Sequence, residues 1–453
     1  MKGVLNMTKL GFYNGLREIG GTFVVVETDT ARCMFDFGFA NADIIDNKVS
    51  CAPCDMAYYY VNLGILTPMD GIYDDTTAHK LGLKSYSEDT KKNFFIISHM
   101  HIDHMGGLGM LDPEVPVYMS SDSLKLYRAI ASTGEAEVRE HKNCIGIDYD
   151  KTFTVEDITV KVVQVDHDVV GACGFIIETK DGSICYTGDY RFHGFHRDIT
   201  ENFAKTCHGA NVMITEGVTA SFEDIDMLSL EEPADMGNSE EVVEEYMRDK
   251  IANEEGLIVI NNYNRNVERI HRLINVCKSE GRTLVLEPIQ AEYVHAFYPE
   301  DEISIYAQNL DECCFDIPDD WKKVSRKDLI SNPSKYVLQQ DYKHIYELID
   351  LKDVLSLYVH MDGAPLGDYD PSYKKLHDFM DKLEINYEHK GTGGHSRPYY
   401  LRYMIDHIEP GTLIPLHSFR PEQVMSEHAG CRILPEYGDF YELKNGKLSK
   451  INN

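Results

Sequence analysis

Apolar residues in the first third of the chain fall in short runs, not in helical stripes. Thr22–Glu27 (TFVVVE) and Arg32–Asp36 (RCMFD) read as paired strands, followed by an FDFG turn at Phe35–Gly38. Phe94–Ile97 (FFII) is fully apolar and predicts a strand buried on both faces. Glu156–Val165 and Gly174–Thr179 alternate as strands do, and Ser183–Tyr186 and Val212–Thr215 are two more. Asn41–Asp89, rich in tyrosine and without period, reads as an irregular insertion or long loop.

The texture changes after about residue 220. Ser239–Asn253 has a helical period, Gly256–Asn261 (GLIVIN) reads as a buried strand, Val267–Lys278 as a helix and Arg282–Glu287 as a strand. This alternation predicts βαβ units and a second, mostly parallel sheet. Tyr369–Leu383 predicts a further helix.

Polar groups recur where strands end, the place where α/β sheets carry their chemistry. The densest group is SHMHIDHMGGL at Ser98–Leu108, with His99, His101, Asp103 and His104 directly after the FFII run. Imidazole nitrogens and carboxylate oxygens are the ligands that zinc-like cations take. His99 and His101 are two residues apart, so an extended segment points both the same way. Gly106 and Gly107 allow a close approach of backbone. Two groups of ligands on one short loop suggest two neighbouring metals.

Composition narrows the function classes. The chain has 453 residues and eleven cysteines, and its formal net charge is −31. That charge argues against nucleic-acid binding through a broad basic surface, and leaves room for a local basic groove. Between Thr206 and Met247 there is no Lys or Arg but eleven Asp and Glu. Such runs read as solvated faces. Asn261–Arg282 and Lys390–Arg420 are locally rich in Lys and Arg. No apolar run is long enough to span a membrane, and the first residues, MKGVLNMTKLGF, carry no sustained apolar signal segment. A reducing cytoplasm is the simplest expectation for this cysteine usage. A lone CxxC (Cys51, Cys54) has no second pair and reads as loop.

The HxHxDH loop resembles that of the metallo-β-lactamase superfamily, and the rest of that family's ligand series has counterparts here. His167 stands in VVQVDHD, Asp189 in YTGDYR and His417 in LIPLHS. The resemblance implies that His99, His101 and His167 hold one metal, that Asp103, His104 and His417 hold the other, and that Asp189 bridges. Glu216 in ITEG and His395 in GTGGHSRP match motifs of the β-CASP branch, whose members insert a second α/β domain and act as nucleases. YNRNVERIHRLINVCKSEGRTLVLE resembles the core of that insert, and ribonuclease J is the most similar group. The implied fold is an αββα metallo-β-lactamase sandwich over residues 1–220 and 391–453, with a β-CASP insert over 221–390. This chain departs from ribonuclease J at Ser418–Phe419, where that family has Gly-Glu. It also ends soon after the last strands of the sandwich. The extra C-terminal domain of ribonuclease J, and its role in dimerisation, are therefore not expected, and a homo-oligomer is left open.

The resemblance implies a metal-dependent phosphodiester hydrolase with two Zn2+, or Mn2+ or Fe on the same ligands. Its substrate would be single-stranded RNA, cut by exonuclease or endonuclease action. In this reading a hydroxide between the metals attacks phosphorus, His395 protonates the leaving oxygen, and Asp103 and Glu216 complete the catalytic set. Gly394, Ser396 and Arg397 are expected to meet substrate. Lys390, Arg402, Arg420, Arg265, Arg269 and Arg272 are weighed equally as phosphate contacts and as ordinary surface cations. His193 and His196 read as supporting or surface groups, and Tyr399–Tyr400 as core rather than as a base-stacking pair. The rival on the same core is a small-molecule hydrolase such as a lactonase, thioesterase or phosphodiesterase. A di-iron oxidoreductase usually has Glu where this chain has His101, and a non-catalytic scaffold would have lost ligands that are all present here.

Overall fold

The computed structural model describes residues 7–40, 52–134, 139–234, 237–308, 310, 313–368 and 370–451. Eleven strands come first: β1 (Thr8–Asn14), β2 (Phe23–Glu27), β3 (Ala31–Phe35), β4 (Lys92–Ile97), β5 (Val117–Ser120), β6 (Cys144–Ile147), β7 (Thr152–Val155), β8 (Ile158–Gln164), β9 (Cys173–Thr179), β10 (Gly182–Tyr186) and β11 (Val212–Thr215). There follow β12 (Leu257–Asn262), β13 (Thr283–Val285), β14 (Ser304–Tyr306), β15 (Lys322–Val324), β16 (Tyr336–Gln339), β17 (Leu355–Met361) and β18 (Tyr387–His389). The last three are β19 (Thr412–Pro415), β20 (Asp439–Lys444) and β21 (Lys447–Lys450).

Two sheets form a sandwich. The first has the order β21-β20-β1-β2-β3-β4-β5-β6 and the second β19-β11-β10-β9-β8-β7. Phe12, Val24, Phe35, Phe94 and Ile96 of the first pack against Val160, Val162, Phe175, Ile184, Ile214 and Ile414 of the second. Their neighbours Phe23, Val25, Phe95 and Ile97 face the other way, onto a layer of helices. This explains the unbroken apolar runs of β2 and β4: each is buried on both faces. The outer face of the second sheet is covered by the helices Arg197–Thr206 and Pro398–Ile408 through Phe203, Leu401, Met404 and Ile405. The result is the expected αββα arrangement.

The inserted α/β domain carries a five-stranded sheet in the order β13-β16-β12-β17-β18, with every pairing parallel. The expected helices are present as Glu240–Asn253, capped by Ser239, and Val267–Ser279, capped by Asn266. Their apolar sides (Val243, Met247, Ile251, Ile270, Leu273) cover Ile258, Ile260 and Val359. The helix expected from Tyr369 runs over Pro371–Leu383, and Tyr369 itself lies outside the described residues. The core is continuous with that of the sandwich, where Thr133 Oγ1 lies 3.3 Å from the Tyr293 hydroxyl.

One stretch differs from expectation. Residues 52–89 are not irregular: they form the helices Met56–Asn62 and Asp75–Leu81. Ala57, Ile65, Leu66, Ile72, Tyr73 and Ala78 are buried against the first sheet's outer face. The helices are only seven residues each, too short to show a period in sequence. Residues 41–51, including Cys51 of the CxxC, lie outside the described residues, and Cys54 is exposed.

Candidate metal centre

Strands β4, β8, β10, β11 and β19 deliver the candidate residues from one end of the sandwich. Ser98–His101 leaves β4 extended, and Asp103 and His104 sit on the short helix Ile102–Met105. His167 follows β8, Asp189 follows β10, Glu216 follows β11 and His417 follows β19. The FDFG turn supports the loop from beneath. A Cβ on Gly38 would lie 1.8 Å from the carbonyl of Asp103, so only glycine lets the two backbones meet there.

The candidate ligands converge in three groups linked through Asp189 and His417. Ligand-type atoms of His99, His101, His167 and Asp189 lie within 4.8 Å of one another, as do those of Asp103, His104 and His417, and those of Asp189, His395 and His417. His99 Nε2 is 3.0 Å from His101 Nδ1, which is 3.3 Å from His167 Nε2. Asp189 Oδ2 is the shared atom, 3.8 Å from His99 Nε2, 3.3 Å from His104 Nε2 and 3.4 Å from His417 Nε2. Asp103 Oδ2 lies 3.5 Å from both His104 Nε2 and His417 Nε2.

This geometry fits divalent cations. His104 Nε2 and Asp189 Oδ2 are buried without a hydrogen-bond partner, a costly arrangement unless something else satisfies them. The donor set is nitrogen and carboxylate oxygen, which suits zinc and also manganese or iron. Electrostatics favour ligand-ready states at His99, His167 and Asp189; at His104 burial opposes the charge, but Asp189, Asp103 and Asp36 outweigh it and raise the imidazole well above its usual range. Burial, helped by neighbouring histidines, holds His99 well below its usual range and takes His167 down to about 3, so both are neutral. Burial opposes the charge on Asp189, but His417 and His104 outweigh it and keep the carboxylate ionised.

Glu216 and His395 stand beside this cluster. Glu216 Oε2 lies 3.1 Å from His395 Nδ1, and Glu216 also accepts from the Tyr190 and Val218 amides at 3.2 and 3.3 Å. Burial disfavours the charged form of His395, yet the carboxylates of Glu216 and Asp189 raise it to about 10.

The other expected contacts divide. Gly394 uses its carbonyl to hold His167 Nδ1 at 2.6 Å, and Ser396 is fully buried with its amide on Tyr190 O. Arg397 is partly exposed and donates to Asn238 O at 2.6 Å. Several of the cations weighed as phosphate contacts are committed to the protein. Arg269 is buried against Glu240, Arg402 donates to three carbonyls after Asp226, and Arg265 donates to Met100 O. Arg420 pairs with Asp224, Arg272 with Glu244 at 2.7 Å, and Lys390 lies over the Tyr246 ring. Tyr400 is core. His193 holds the Thr392 carbonyl at 2.9 Å and His196 pairs with Glu268, so neither joins the ligand groups.

Two residues escaped sequence reasoning. Asp36, buried at the FDFG turn, accepts from the Ser98 amide and hydroxyl at 2.7 and 2.9 Å, from the Tyr186 hydroxyl, and contacts His104 Nδ1 at 2.8 Å. Its place at a strand end was the available signal. Asp168 lies 3.3 Å from His101 Nε2 and 3.4 Å from His167 Nε2.

Comparison with known proteins agrees with this architecture. A profile of the beta-lactamase superfamily domain matches residues 83–243. The chain is 23% identical over 297 residues to ribonuclease J 2 of Streptococcus pyogenes, covering 64% of this chain and 46% of that protein. It is 23% identical over 196 residues to ribonuclease J of Pyrococcus abyssi, covering 42% and 40%. It thus spans less than half the length of these curated relatives. A crystal structure of a protein of unknown function from Enterococcus faecalis V583 superposes with a TM-score of 0.79 at 28% identity, over 96% of this chain and 100% of that one. Over residues 83–243 the chain is thus similar to the beta-lactamase superfamily domain, and over a longer stretch to ribonuclease J.

Proposed function

We propose that this protein is a metal-dependent phosphodiester hydrolase, a ribonuclease acting on single-stranded RNA with two zinc ions at the cluster. The observation that carries the reading is the convergence of six ligand residues around Asp189 Oδ2, with the Glu216–His395 pair alongside. His99, His101 and His167 would hold one cation, Asp103, His104 and His417 the other, and Asp189 would be shared. Cations bound there supply Lewis acidity, an activated water at neutral pH and neutralisation of charge on phosphoryl oxygens.

The chain's own residues supply the rest. Glu216 engages Nδ1 of His395, which orients the ring and leaves Nε2 to deliver a proton to the leaving oxygen. Tyr190 and Val218 amides fix the Glu216 carboxylate in turn. The GTGGH loop is pinned by Asp362, which accepts from the Thr392 amide at 2.9 Å. In domain terms, residues 1–220 and 391–453 form the hydrolase body and 221–390 the insert. Among the described residues no helix is long and apolar enough to cross a membrane. The cysteine usage of the chain supports a cytoplasmic location.

A second reading, a small-molecule phosphodiester or ester hydrolase, is favoured by one observation: most cations near the site are already paired within the protein. His395→Ala separates chemistry from metal binding. It is expected to keep its metal and lose roughly 10²–10⁴ in rate on the true substrate. Unaltered cleavage in this variant would remove His395 from the mechanism. Parallel assays on single-stranded RNA and on small esters decide between the two readings.

A further inference from the structure

Four of the five ligand histidines face the cluster through Nε2 and are held from behind at Nδ1. Ser98 Oγ backs His99 at 3.0 Å, Asp36 backs His104 at 2.8 Å and the Gly394 carbonyl backs His167 at 2.6 Å. The Gly20 amide and Thr22 Oγ1 lie 3.0 and 3.3 Å from Nδ1 of His417. His101 is reversed. Its Nδ1 faces His99 and His167, so Nε2 is the atom that needs support. The carboxylate of Asp168 is there, with Oδ1 at 3.3 Å.

Asp168 Oδ1 is buried and lacks a partner in hydrogen-bonding geometry. A buried carboxylate oxygen without a donor is costly, so its retention needs a reason. The loop over it leaves no slack: a Cβ on Gly394 would lie 2.7 Å from Asp168 Oδ1 and 2.7 Å from His167 Cε1.

We propose that Asp168 is the positioning residue of His101, accepting its Nε2–H and so fixing Nδ1 as the atom offered to a cation. An outer carboxylate fixes the ring tautomer and makes the imidazole a stronger donor. Each ligand group then contains one carboxylate-backed histidine, His104 with Asp36 and His101 with Asp168. This rests on the metal reading above.

The test is chelator competition for Zn2+ and the visible spectrum of the Co2+-loaded protein, for the unaltered chain, Asp168→Ala and Asp168→Asn. The unaltered chain should bind two cations. Asp168→Ala should bind one of them roughly 10–100-fold more weakly. Asp168→Asn keeps an acceptor oxygen, so it should recover part of that affinity with an unchanged Co2+ band. If the alanine variant fails to fold, intermediate affinity in the asparagine variant supports the role by itself. Full affinity for both cations in Asp168→Ala would overturn the proposal. So would an asparagine variant as weak as alanine with an altered Co2+ band, since Asp168 would then be a ligand. No cation bound by the unaltered chain would overturn the metal reading itself.

Discussion

Asp36 Oδ2 lies 2.8 Å from Nδ1 of His104, and the same carboxylate receives the Ser98 amide and hydroxyl and the Tyr186 hydroxyl. One buried side chain thus ties β3, β4 and β10 to a candidate ligand. Asp36 also has φ 56°, a left-handed conformation that Asn tolerates better than most residues. Asp36→Asn is therefore expected to fold and to lose roughly 10–100-fold in metal affinity. Asp36→Ala strands several buried partners and should cost about 2–5 kcal/mol in chemical denaturation. Wild-type metal affinity in the asparagine variant would show that His104 needs no such support.

The insert is locked to the sandwich by a buried charge network. Glu240 accepts from Arg269 at 2.8 and 2.9 Å and from Arg191 at 2.9 Å, while Arg191 also meets Asp166 at 2.7 Å and Thr392 at 3.2 Å. Burial works against the charge on Glu240, but the two guanidiniums hold its carboxyl down at about 2. Glu240→Gln leaves two buried cations under-compensated, and urea denaturation should show a loss of about 3–5 kcal/mol. A loss below about 1 kcal/mol would mean that water reaches the network.

Glu287 should make stability fall as pH rises from about 4.5 to about 8. Its burial and the nearby Asp341 push its carboxyl up to about 8, despite the His344 contact at 2.8 Å. The folded state therefore binds this proton more tightly than the unfolded chain, whose value is near 4.5. The resulting stability is full below the unfolded value and is lost as pH rises to about 8. Glu287→Gln should flatten that decline and be the more stable protein at pH 8, by thermal unfolding at several pH values. Parallel pH profiles for the two proteins would contradict it.

The candidate ligands were legible because their order along the chain is tied to strand ends: His99 to FFII, His167 to VVQV, Asp189 to SICY and His417 to LIPL. The parallel insert was legible because fully buried strands such as GLIVIN alternate with helices of clear period. Asp36 and Asp168 were not. A lone carboxylate beside an apolar run looks like any turn residue until the register shows which histidine it faces. Arg269 and Arg402 were ambiguous in the sequence. A local excess of Arg in the sequence suggests a phosphate groove, and only the packing shows that Glu240 and three backbone carbonyls already occupy them. The helices at Met56–Asn62 and Asp75–Leu81 were hidden by their shortness.

The most direct measurement is a gel time course on single-stranded RNA bearing a 5′-monophosphate, beside the same RNA with a 5′-hydroxyl. Zinc- and manganese-loaded protein would be compared with Asp103→Ala and His395→Ala. The account predicts metal-dependent cleavage that both variants lose, with the product ladder giving the mode of attack and the end preference. RNA left intact under every metal, while a small phosphodiester or ester is hydrolysed, would contradict the ribonuclease reading.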